Sequence, residues 1–170
     1  MARVIVLLGP PGSGKSTVGY ELEALGLRWR EWEPTILERW GSRDNFIANK
    51  DVGLPLLQSE LRTFIASPGT TAVIETTGLS DAAFLDELAL EHNVFVVRFD
   101  VTETEAARRI AAREPGRHLT DDIDASRAIW RAFYEHVAPN RHADLVIDTE
   151  QTSPAAAAAT IFNGSRDGLG

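Results

Sequence analysis

Apolar positions along this chain follow two rhythms, one of strands and one of helices. "RVIVLL" (3–8) is an unbroken apolar run, the mark of a strand buried on both faces. A helix from about Lys15 to Leu25 follows, with Val18, Leu22 and Leu25 on one face. "LRWREW" (27–32) alternates as a second strand, and Pro34 suits the first position of a short helix, "PTILERW". Residues 41–53 show no period and read as irregular, whereas 54–66 put Leu57, Leu61, Phe64 and Ile65 on one helix face. "TTAVIE" (70–75) is a third strand, then a helix capped by Ser80 runs to about His92, and "VFVVRFD" (94–100) is a fourth strand. Thr102 with Glu105 forms a capping box that opens a helix to about Arg113. A loop over 114–123, a helix over 124–138 and the strand "DLVID" (144–148) come next. Pro154 starts an alanine-rich helix, and "NGSRDGLG" (163–170) reads as a frayed tail. Strands alternating with helices predict a parallel α/β sheet covered on both faces, in a single domain over 1–170 with no repeat or linker.

Composition narrows the functional classes. The 170 residues carry a net charge of −8, which argues against a broad nucleic-acid-binding surface. Cysteine is absent, so disulfides and thiolate metal sites are excluded. The first strand begins almost at Met1 with no leader-like segment before it, and no apolar run approaches membrane-spanning length, so the expectation is a cytoplasmic protein with no membrane partner. Only Lys15 and Lys50 are lysines, and the other fifteen of the seventeen basic residues are arginines, the side chain suited to gripping phosphate with two parallel hydrogen bonds.

Residues 9–17, "GPPGSGKST", match G-x-x-x-x-G-K-[ST] between a buried strand and an amphipathic helix. Gly9, Gly12, Ser13 and Gly14 let the backbone curl so that its N–H groups converge on phosphate at the positive end of a helix. Lys15 adds charge toward the β- and γ-phosphates, Ser16 offers a hydroxyl to Mg²⁺, and Thr17 completes the cradle. A guanine-reading N-K-x-D motif would need Lys50, which lies near the second strand where a guanine reader does not belong; ATP is therefore the expected nucleotide.

Three stretches give the chain its likeness. With its cradle, "RIAAREPGRHL" (109–119) and "ADLVIDT" (143–149), it resembles the small P-loop kinases of the shikimate kinase and gluconate kinase type over 3–162. The resemblance implies a three-layer fold with five parallel strands in the order 2-3-1-4-5, an acceptor lobe over 34–66 and a lid over 113–123. It implies that Arg109, Arg113 and Arg117 belong to the lid side, with Arg113 and Arg117 closing over ATP, and that Asp148 and Thr149 border the adenine. It also implies an acid-x-acid pair at the end of strand two, which Glu31 and Glu33 supply. On a strand the two would share a face with Trp29, opposite Trp32. Their order assigns Glu33 as the base toward the acceptor hydroxyl and Glu31 to the water shell of Mg²⁺. Glu75, at the end of strand three, competes for the metal role.

Departures from that pattern bear on the acceptor. Thr77-Gly78-Leu79 stands where shikimate kinases carry a glycine triplet, Ile47 rather than arginine follows Phe46, and the paired acids are glutamates. His118 follows Arg117 where the family has proline, so no catalytic histidine is implied, and the other histidines lack metal-ligand spacing. The expectation is an ATP- and Mg²⁺-dependent phosphotransferase for the hydroxyl of a small molecule other than shikimate, acting as a monomer or small homo-oligomer. A nucleoside or nucleotide kinase, with tryptophan stacking on a base, and an ATP-binding switch module are the alternatives.

Overall fold

The computed structural model describes residues 3–116 and 118–167. Along the chain the elements are β1 (Arg3–Leu8), α1 (Lys15–Ala24), β2 (Arg28–Trp29), α2 (Glu33–Trp40), α3 (Arg43–Ala48), α4 (Lys50–Ala66), β3 (Ala72–Thr76), α5 (Ala82–Glu91), β4 (Asn93–Asp100), α6 (Glu103–Ala111), α7 (Ile123–Ala132), β5 (Leu145–Asp148) and α8 (Pro154–Asp167). The strands are parallel and lie in the order β2-β3-β1-β4-β5, as expected. β1 is central because it is apolar at every position but its first. Ile5 and Leu7 pack against Val18 and Leu22 of α1 and Ala157 and Ile161 of α8. Val4 and Val6 face the other layer, against Leu61 and Ile65 of α4 and Phe84 and Leu88 of α5. All these residues are buried, and each layer hides the face its partner leaves open.

Several boundaries differ from the sequence reading. β2 is two residues long, so Glu31 and Glu33 do not share a strand face; Glu33 is the first residue of α2, ahead of Pro34. Its negative charge suits a helix N-terminus, whereas strand geometry has nothing to offer it. Most of 41–53 is helical rather than irregular, over 43–48 and from 50 onward. Ser42 caps α3 by accepting from the Asn45 N–H at 3.2 Å, and α4 begins at Lys50 and runs through Pro55. Ser80 does not cap α5; Asp81 holds the cap position without a side-chain capping bond. The Thr102 hydroxyl does accept from the Glu105 N–H, at 3.3 Å, but the return half of the box is missing. Glu105 turns to Arg108 and Arg109, and the Thr102 N–H donates to Glu150. The helix expected over 124–138 is α7 followed by a wider π-type turn, Phe133–Val137, that buries Phe133 and Val137. At the C-terminal end α8 continues to Asp167, so 163–167 is helix rather than frayed tail.

Candidate active site

The cradle lies where β1 runs into α1 at the carboxyl edge of the sheet. Gly12 and Gly14 have φ of 79° and 89°, left-handed conformations that glycine adopts without cost. Side chains are also barred by space: a Cβ on Gly12 would come within 2.6 Å of the Ala106 carbonyl of α6. Gly14 caps α1 without any side-chain bond, which leaves the first-turn N–H groups of α1 for a ligand. Ser13 is fully buried beneath the loop.

The Lys15 ammonium donates to the Gly9 carbonyl at 2.8 Å, the Pro10 carbonyl at 3.0 Å and the Ser13 hydroxyl at 3.4 Å. Burial lowers its pKa from the ordinary value, while Glu75 and Glu33 pull it back up. The Ser16 hydroxyl donates to Glu75 at 3.1 and 3.4 Å. Burial pushes the Glu75 carboxyl up to about 7, against the pull of Lys15. Ser16 and Glu75 thus offer hard oxygens side by side, the donor type Mg²⁺ prefers. Among the described residues no group of three or more His, Asp or Glu side chains forms a metal cage, so these oxygens fit an ion that also draws on phosphate and water.

The two glutamates of "REWEP" separate. Glu33 points into the cradle, accepting from the Leu119 N–H at 3.2 Å and meeting His118 Nδ1 at 3.1 Å. Burial raises its pKa, but the hydrogen bonds from His118 and Leu119 and the charge of Lys15 outweigh burial and leave it below the ordinary carboxylate value. Glu31 instead accepts from the Tyr20 hydroxyl at 2.5 Å on the side of α1 and does not line the cradle. His118, given no role by the sequence pattern, therefore touches the proposed base. Only an alignment of the irregular segment with α2 could have revealed that, and no local spacing encodes it.

Arg113 lines the cradle together with Lys15, Ser16, Glu33, Glu75 and His118. Arg109 stands at its other end, donating to the Thr149 carbonyl at 2.8 Å, the Thr149 hydroxyl at 2.9 Å and the Gly12 carbonyl at 3.4 Å. Thr149 and Arg109 border a hollow of about 290 Å³, whereas Asp148 lies off it and lines a separate hollow with Trp130 and Tyr134. Arg117 falls outside the described residues.

Three hollows adjoin along the carboxyl edge. The hollow beside Thr149 shares Gly14 and Thr17 with the cradle, itself about 190 Å³. The cradle in turn shares Pro11, Lys15, Glu33 and Glu75 with a third cavity of about 220 Å³ beneath α2, α3 and α4. Trp32 lines this third cavity, while Trp29 is buried in the α1 layer, its ring against Gly19.

No protein-family model matches the chain. Threonine synthase-like 1 of Mus musculus is 29% identical over 141 residues, which is 77% of this chain but 19% of that protein. The chain thus spans about a fifth of the curated relative it matches. Among solved structures, shikimate kinase from Acinetobacter baumannii aligns over 99% of this chain and 96% of its own, with a TM-score of 0.69 and 21% identity. A gluconokinase from Sinorhizobium meliloti 1021 aligns over 99% and 91%, with a TM-score of 0.60 and 20% identity. Deoxyadenosine kinase from M. mycoides with bound dATP aligns over 95% and 97%, with a TM-score of 0.59 and 16% identity. With a cradle of this form entering a parallel sheet of this order, the chain has the fold of the P-loop kinases.

Proposed function

We propose that this protein transfers the γ-phosphoryl group of ATP to a hydroxyl of a small molecule. The observation that carries the reading is the continuity of the three hollows: the one beside Thr149 joins the cradle at Gly14 and Thr17, and the cradle joins the third cavity at Lys15, Glu33 and Glu75. A nucleotide with its base beside Thr149 and its phosphates on the α1 amides would present its terminal phosphoryl to the third cavity. Lys15 and Arg113 would stabilise charge on the transferring oxygens. Glu33, held ionised by His118 and the Leu119 N–H, would orient the acceptor hydroxyl and accept its proton. Mg²⁺ arriving with the nucleotide would neutralise phosphate charge, with Ser16 and Glu75 as the side chains that would hold it. Because Glu31 faces Tyr20, the metal role falls to Glu75 in this proposal.

A second reading, a nucleoside as acceptor, is favoured by Trp32 and Phe46 in the wall of the third cavity. One assay addresses both: incubation with ATP, Mg²⁺ and a pool of alcohols, nucleosides and sugars, followed by mass spectrometry for an added phosphate. Phosphorylation that disappears in Glu33→Gln supports the proposal. ATP hydrolysis that needs no acceptor and is unchanged in Glu33→Gln overturns it in favour of a switch module.

A further inference from the structure

In the third cavity Trp32, Ile36, Phe46, Leu57 and Leu61 form apolar walls, Glu33, Glu75 and Asp81 supply the acids, and Thr76, Thr77 and Ser80 are the neutral polar residues. Lys15 is the one cation in the lining among the described residues, and it is already held by two carbonyls of the cradle. Arg141 and Lys50 act on Asp81 through their charge but do not line the cavity, and the arginines around it have other partners. Arg39 pairs with Glu60, Arg141 pairs with Asp86, and Arg43 lines a separate hollow beside Asp44, Asp121 and Asp122. A carboxylate or phosphate on the acceptor would lose its water against apolar walls and meet three acids with, among the described residues, only the engaged Lys15 to oppose them.

We propose that this cavity takes an amphipathic alcohol bearing no anionic group, with an N–H or O–H donor placed at Asp81. The position of its reacting hydroxyl, at Glu33, rests on the phosphotransfer reading above. Asp81 sits at the start of α5, where its Oδ2 accepts from the Thr76 hydroxyl at 2.6 Å. Thr76 orients the carboxylate while also accepting from the Gly78 N–H at 2.8 Å, so the acid is fixed by the turn after β3. Burial raises the Asp81 pKa above its ordinary value, a cost that a bound cation or hydrogen-bond donor would relieve. The apolar body of the ligand would then lie against the walls that Trp32, Phe46 and Leu57 form.

Three alcohols of matched body test the assignment: phenylalaninol, which is cationic, phenylpropanediol, which is neutral, and phenyllactate, which is anionic. Each is titrated calorimetrically into the full chain with a non-hydrolysable ATP analogue and Mg²⁺. Phenylalaninol and phenylpropanediol are expected to bind, with phenyllactate weaker by about a hundred-fold or more. Asp81→Asn keeps the shape and the bond from Thr76, and should weaken phenylalaninol by about ten-fold while moving phenylpropanediol by less than about three-fold. Phenyllactate binding as tightly as the other two, or no binding by any of them, overturns the proposal. An equal loss for both alcohols in Asp81→Asn overturns the placement of the donor at Asp81. Binding in the expected order without phosphate transfer to any alcohol upholds the cavity assignment and removes the phosphotransfer reading.

Discussion

Glu33 is the residue at which fold and chemistry meet. Its carboxylate opens α2, faces Lys15, and is gripped by His118 and the Leu119 N–H from the far side of the cradle. Glu33→Gln preserves the side chain's shape, so ATP affinity should change little while transfer to the acceptor falls by about a hundred-fold or more, read as kcat in a coupled assay. The same variant has a signature in stability. The folded pKa of Glu33 lies below its ordinary 4.5, so its ionised form contributes stability that is fully present above that value and is lost as pH falls through the folded pKa. Wild type should therefore unfold at higher temperature than Glu33→Gln at neutral pH, with the gap closing below pH 4.5. Lys15→Ala should abolish transfer with an unchanged circular dichroism spectrum, because its contacts are to the cradle's own carbonyls.

At the scale of elements, the contact between α1 and β2 accounts for the burial of Trp29 among charged neighbours in sequence. Trp29 is buried because α1 presents Gly19 to its ring; a Cβ there would stand 2.4 Å from the indole. Gly19→Ala should therefore destabilise the protein by about 1–3 kcal/mol through overpacking, measured by chemical denaturation. α6 acts through Arg109, which joins Gly12 of the cradle to Thr149 after β5. Arg109→Ala should raise the KM for ATP about ten-fold with a smaller effect on kcat, since the residue borders the hollow proposed for adenine and stands away from Glu33. The capping box was legible in "TETE", yet only half of it forms, because Arg108 and Arg109 compete for the same carboxylate. Those pairs hold the Glu105 pKa near about 2, a charge balance that no helix-cap rule contains.

Across the whole molecule the carboxyl edge of the sheet gathers loops from distant parts of the sequence into one line of hollows. The segment after α6 closes that line over Glu33, a contact between residues 85 positions apart. His118→Ala should loosen it, seen as faster hydrogen exchange at the Leu119 amide and a lower kcat with the sheet amides unchanged. Unaltered exchange at Leu119 would mean that the segment is held by contacts other than Glu33.

What the sequence determined by itself is whatever local chemistry encodes. Glycines at fixed offsets, a buried apolar strand and a lysine at the start of a helix specify the cradle, and apolar periodicity specifies the alternation of strands and helices. The strand order came with the resemblance that those motifs carry. Which of the paired acids lines the cradle is set by the tertiary fold. Alternation over 27–32 suggested that Glu31 and Glu33 share a strand face, but β2 stops at Trp29 once its ladder with β3 ends, and the two carboxylates part. The helical fill of 41–53 was equally hidden, because α3 and α4 are fixed by the packing of Phe46 and Gly53 rather than by a clear local period. Glu75, Asp81 and His118 reach the site through contacts across the sheet edge, and a one-dimensional pattern records no such distance.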